Sequence, residues 1–208
     1  DHTAAIKIFS EVRQILQDFI NHETTCWRRQ CDSKCALRID WTIRVHLESY
    51  LSSAWNNLGY SFYTTHRHRE ALLAYQESYQ IKIKILRFQH NMMPSQVVKK
   101  DSDKLVDQSQ YNASTLAELE IGSILHNIGL VHHATSKYSL AIDSFKEAVN
   151  RKSQALEQIS NVNEPSTSMA LQIKQDIEIR FANTLLCYGC TLSNECHWIS
   201  DRRNETIK

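Results

Sequence analysis

Helix-breaking residues are scarce: 4 glycines and 2 prolines among 208 residues, well below ordinary usage. So few breakers leave room for few turns, and long helices are expected. Also missing is any run of about 18 uncharged apolar residues, so no membrane insertion is expected. Neither sign of charge dominates, with 24 Lys and Arg against 23 Asp and Glu. A balanced chain lacks the basic footprint of a nucleic-acid binder, and His66-Arg67-His68-Arg69 reads as loop charge. No HExxH, GxSxG, phosphate loop or GxGxxG occurs. The ten histidines do not change this, because no set of nucleophile, base and orienting group can be named. No enzyme, no catalytic residue and no cofactor are expected.

What is present is helical periodicity. In 1–22, Ala5, Phe9, Val12, Ile15, Leu16 and Phe19 recur at three- and four-residue steps and give one apolar stripe. A second pattern over 36–64 runs through Ile39, Ile43, Leu47, Leu51, Leu58 and Phe62. A third, over 69–89, runs through Ala71, Leu72, Tyr75, Tyr79, Ile83 and Leu86. The polar stretch 90–113, which contains Pro94, is expected to be a loop. A fourth helix is expected from near Ser114 to about Ala134, with Thr115 and Glu118 spaced as a capping box. A fifth covers about 138–160, 161–165 breaks the pattern, and a sixth covers 166–193. The polar residues 194–208 read as a loop or frayed end. The helices therefore fall into one domain of antiparallel pairs: a partial repeat 1–22, repeats 36–89 and 114–160, and a partial repeat 166–193.

The pairs repeat internally. Trp55-Asn56-Asn57-Leu58-Gly59 is followed by Ala71 and Tyr75. Leu125-His126-Asn127-Ile128-Gly129 is followed by Ala141, Phe145 and Ala148. Gly189 opens a third copy, and Ala5, Phe9 and Val12 form the second half of an earlier one. Gly in a helix interior costs about 1 kcal/mol relative to Ala. Three of the four glycines share this register, so a close approach of helices is expected at Gly59, Gly129 and Gly189. Gly59 is expected to face Ala71 there, with Tyr75 and Phe145 filling the gap toward the next helix.

These residues resemble the tetratricopeptide repeat family, whose pattern is a Trp, then Leu-Gly, an aromatic, an Ala and a later Phe. Trp55, Leu58, Gly59, Phe62, Ala71 and Tyr75 match that register. The second copy keeps Gly129, Ala141, Phe145 and Ala148 but has Leu125 for Trp and His132 for the aromatic. The spacing of 70 residues between Gly59 and Gly129 exceeds the usual repeat of about 34, so the likeness is to a long-helix variant, weakly to kinesin-light-chain-like proteins. The resemblance implies an all-α, right-handed superhelical solenoid of antiparallel helix pairs. It also implies a non-catalytic scaffold or complex subunit that holds a protein or peptide.

By the same resemblance, the first helix of each pair lines a concave groove. Its inward residues would be Ser53, Asn56, Asn57, Tyr60 and Tyr63, then Ser123, His126, Asn127, Leu130 and His133, then Asn183, Leu186, Cys187, Cys190 and Ser193. Asn57 and Asn127 could each donate to and accept from an extended peptide's backbone. The competing reading is a helix-to-helix hydrogen bond. Some family members grip a C-terminal carboxylate with Lys, Asn and Arg, but no Lys or Arg stands at these positions, so that mode is not expected.

Six cysteines form two groups: Cys26, Cys31 and Cys35, then Cys187, Cys190 and Cys196 beside His197. A CxxC at Cys187 and Cys190 with a third ligand would suit zinc, and a cysteine-based metal or redox module is the alternative function. Inside a helical repeat, however, thiols commonly act as small core residues. No disulfide framework of a small secreted protein is visible, and an intracellular location is expected. Asp1 in place of Met, together with the half copy at the start, leads us to expect upstream sequence.

Overall fold

Each apolar stripe becomes a helix. The structure is a computed structural model that describes residues 2–29, 41–92, 108–161 and 168–206. The helices are α1 (His2–Arg29), α2 (Trp41–Thr64), α3 (His68–Met92), α4 (Gln108–Ala134), α5 (Tyr138–Asn161) and α6 (Ser168–Thr206). No strand occurs among the described residues, so the chain is all-α there.

Several boundaries differ from expectation. Residues 90–92 extend α3 and 108–113 open α4; 93–107 lie outside the described residues. Thr115 therefore sits inside α4 rather than capping it. It is buried and donates to Gln158 Oε1 at 2.8 Å. At the other end α6 continues to Thr206, so the polar tail 194–206 is helical. Polarity alone does not stop a helix that lacks Gly and Pro, and 194–206 contains neither. Cys31 and Cys35 lie outside the described residues.

The residues group into two compact units, Asp1–Pro94 and Ser95–Lys208. In the first, α2 packs against both α1 and α3. Leu51, Leu58, Tyr75 and Ile85 are buried, and the Arg13 guanidinium stacks on the Trp55 ring at 4.9 Å. In the second, α5 packs against α4 and α6, and α4 also touches α6. Ile121, Ile128, Val131 and Phe145 fill its core.

The turns within the two complete pairs are the same turn. After α2, the Arg67 amide donates to the Phe62 carbonyl at 2.9 Å and the His66 amide to the Tyr63 carbonyl at 3.0 Å. After α4, Lys137 donates to His132 at 2.9 Å and Ser136 to His133 at 3.0 Å. This crossed pair of bonds is a Schellman motif, which satisfies the last carbonyls of a helix and reverses the chain. The motif needs a left-handed residue, supplied by His66 at φ 60° and Ser136 at φ 56°, where glycine is usual. Thr65 and Thr135 reinforce each turn by donating to carbonyls three and four residues back. Neither closing residue is a glycine or proline, which is how a chain so poor in both still makes hairpins.

Candidate functional site

Two helices cross closely only where side chains nearly vanish. A Cβ on Gly59 would lie 2.7 Å from ring carbons of Tyr75, and one on Gly129 would lie 2.7 Å from the Phe145 ring. Both rings are almost fully buried. The glycine thus meets the aromatic face of its own pair, whereas Ala71 was the expected neighbour. Ala71 and Ala141 are themselves fully buried.

One helical repeat of seven residues earlier, a second close point occurs that the sequence reading missed. In the first unit, Ser52 and Ser78 exchange bonds: Ser52 Oγ donates to the Ser78 carbonyl at 3.0 Å, and Ser78 Oγ donates to the Ser52 carbonyl at 2.8 Å. In the second unit the same register holds Gly122 and Ala148, and a Cβ on Gly122 would lie 3.3 Å from the Ala148 carbonyl oxygen. One pair closes on a buried hydroxyl exchange, the other on the Lys152 stem, whose Cγ would lie 2.9 Å from that Cβ, and the Ala148 carbonyl. Gly189 breaks the expectation, since a Cβ there would meet nothing within 4 Å. Its register matches, but no described helix covers that face of α6.

Ion pairs repeat at the crossing's far end. Glu48 on α2 pairs with Lys84 on α3 at 3.2 Å and with Arg44 at 3.2 Å. Glu118 on α4 pairs with Arg151 on α5 at 2.8 Å, and Arg151 also holds Glu147 at 2.7 Å. A buried lysine sits beside each: Lys82 donates to Ser49 Oγ at 2.6 Å, and Lys152 donates to Thr184 Oγ1 at 2.8 Å. Burial, then the nearby Arg180 charge, pulls Lys152 down to about 8. These lysines were missed because long cations are assumed to reach water, whereas their stems pack along apolar surface.

The expected groove residues divide. On α2, Ser53, Asn57 and Tyr60 are exposed, Asn56 is half-buried, and Tyr63 lies half-buried with its ring 5.8 Å from His68. On α4 the set is turned more inward. Ser123 Oγ donates to its own helix at Leu119, and Asn127 and Leu130 are half-buried. His133 contacts the Tyr138 ring at 5.6 Å, and its Nε2 is 2.9 Å from Asn194 Nδ2 on α6. His126 is a packing residue: its ring lies 5.5 Å from Phe145, and its buried Nδ1 has no hydrogen-bond partner among the described residues. On α6, Asn183, Leu186, Cys190 and Ser193 are exposed and Cys187 is half-buried.

Burial, reinforced by the Lys152 charge, lowers His126 to about 4 from its ordinary 6.5. The folded state therefore refuses a proton that the unfolded chain accepts below about 6.5. The stability this contributes is complete above 6.5 and is lost as pH falls toward 4. Acidification across that window should destabilise the second unit by on the order of 1 kcal/mol through this ring. His126→Asn, the residue at the matching position 56, should flatten that part of the pH profile in chemical denaturation.

Cys187, Cys190 and Cys196 are free, and burial, then the neighbouring Cys190, raises the Cys187 thiol, which disfavours the reactive thiolate. Among the described residues, no group of three His, Cys, Asp or Glu side chains converges as a metal site. Also among them, no helix is long and apolar enough to cross a membrane. No protein-family model, no curated protein and no solved structure matches this chain.

Proposed function

We propose that the chain is a tetratricopeptide-type repeat protein, a right-handed solenoid of antiparallel helix pairs that acts as a non-catalytic scaffold or complex subunit for a protein or peptide. One observation carries this reading. The pairs α2/α3 and α4/α5 share a glycine under an aromatic ring and a Schellman turn, each displaced by 70 residues, and Glu48 and Glu118, also 70 apart, each bridge to a cation on the second helix, Lys84 and Arg151. A chain that repeats a packing solution, rather than a constellation of reactive groups, suits display of a surface.

The α2 face is the better candidate for ligand contact, because Ser53, Asn57 and Tyr60 are open to solvent. Tyr offers wide contact area at low entropy cost, and Asn can bond a peptide backbone both ways. A test needs no known partner. Peptides selected from a random displayed library against the full chain should shift amide resonances of α2 residues near 53–63. Asn57→Ala should weaken the selected peptide about threefold to tenfold, the worth of a typical hydrogen bond, with unchanged helicity. Asn127→Ala should do the same for a peptide that maps to α4. Peptides that bind elsewhere, or that bind both variants as tightly as the parent, contradict the groove reading.

A further inference from the structure

Two faces of this chain are halves of a helix pair, and they are opposite halves. Aligning Ala5 and Phe9 of α1 with Ala71 and Tyr75 places residues 8, 12, 15 and 19 at the registers of Ala74, Ser78, Ile81 and Ile85. In α3 those residues are buried or half-buried, and Ser78 bonds the preceding helix. In α1 the matching Ile8, Val12, Ile15 and Phe19 are all exposed, Ile15 by 68%. So α1 leaves open the side that α3 and α5 bury on the helix before them.

The last helix shows the converse. Aligning Gly189 with Gly129 puts Ala182 at the register of Gly122 and Leu186 at that of His126. In α4 those three positions face Phe145, the Lys152 stem and the Ala148 carbonyl of α5. In α6 Ala182 is exposed, Leu186 is 66% exposed and Gly189 looks into open space. The seven-residue spacing of small residues that admits a second helix in the complete pairs is intact here, with no helix on it among the described residues.

We propose that the chain associates with itself head to tail: α1 of one copy seats on α6 of the next as the second helix of a pair, with Phe9 over Gly189 and Val12 against Ala182. The two surfaces differ, so the contact is heterologous, and each copy offers one face as donor and the other as acceptor. The occupant is argued from the chain itself, since α1 carries the Ala-to-aromatic spacing found in α3 and α5. One register is poorly matched. Glu178 takes the place of Glu48 and Glu118, but opposite it Asp18 stands where Lys84 supplies a cation in the first unit. The inference does not depend on groove binding, because neither Ile15 nor Gly189 is a groove contact.

Sedimentation velocity of the 208-residue chain over a wide concentration range tests it. The mass should rise above the monomer as concentration increases. Ile15→Glu and Gly189→Trp should each be monomeric with unchanged helicity, as both positions are open to solvent. Mixed one to one, the two variants should form a dimer and stop, because each retains the end the other lacks. Asp18→Lys should tighten the wild-type association about twofold to fivefold, the yield of one exposed ion pair. The proposal is overturned by a monomer at every concentration, by single variants that assemble like the parent, or by a mixture that stays monomeric or grows past the dimer.

Discussion

Phe145→Ala should cost the unit Ser95–Lys208 about 3–5 kcal/mol, the range for deleting a large buried aromatic ring. The ring is fully buried between Gly129, which has no side chain to fill the space, and His126, whose own ring packs on it at 5.5 Å. Collapse into the cavity would need the α4/α5 crossing to close further, and the Lys152 stem and the Ala148 carbonyl against Gly122 already limit that approach. Hydrogen exchange should show the loss first in α4 and α5, which isolates this unit from Asp1–Pro94. Tyr75→Ala should do the same to α2 and α3. A change below about 1 kcal/mol would mean the ring is not the wedge of the pair.

The second large effect is one of opposite signs at matching registers. Gly59→Ala and Gly129→Ala should each destabilise by about 1–3 kcal/mol, the cost of overpacking a rigid site. The new methyl lands 2.7 Å from buried ring carbons in both cases. Gly189→Ala should instead stabilise by about 0.5–1 kcal/mol, since an open helical glycine gains only the lower backbone entropy of alanine. The clash also has a partner-specific signature. In a Phe145→Ala background, Gly129→Ala should lose its penalty, giving a large coupling energy between the two sites. Denaturant titration of the four single variants and the Gly129/Phe145 double variant measures all of this.

These effects separate what the sequence revealed from what it hid. The six helices followed from periodicity, because apolar residues at three- and four-residue steps have few other uses in a chain so short of Gly and Pro. The registers of Gly59 and Gly129 were visible because a helical glycine is costly and calls for a reason. Gly189 carried the same signal and misled, for a register fixes where a close approach could occur and not whether a helix is there to make it. Gly122 escaped notice because its counterpart is Ser52, and the shared property, small size at a crossing, is spread over two residue types. His126 looked like a groove residue from its register. Its ring instead packs on Phe145, a contact that Asn56 at the matching position of the first pair has no ring to make. Lys82 and Lys152 were unreadable as buried groups, since their hydroxyl acceptors Ser49 and Thr184 lie 33 and 32 residues away.

Glycine-selective isotope labelling gives the most direct view of the repeated contact, because the chain holds four glycines and so yields four α-carbon signals. Gly59 should show cross-relaxation from its α-protons to the Tyr75 ring, and Gly129 to the Phe145 ring. In the Ile15→Glu variant, whose α1 face cannot seat on another copy, Gly189 should show none to any side chain beyond its immediate neighbours. Gly59 and Gly129 signals without aromatic contacts, resembling that of Gly189, would contradict a fold built by repeating one glycine-under-ring crossing.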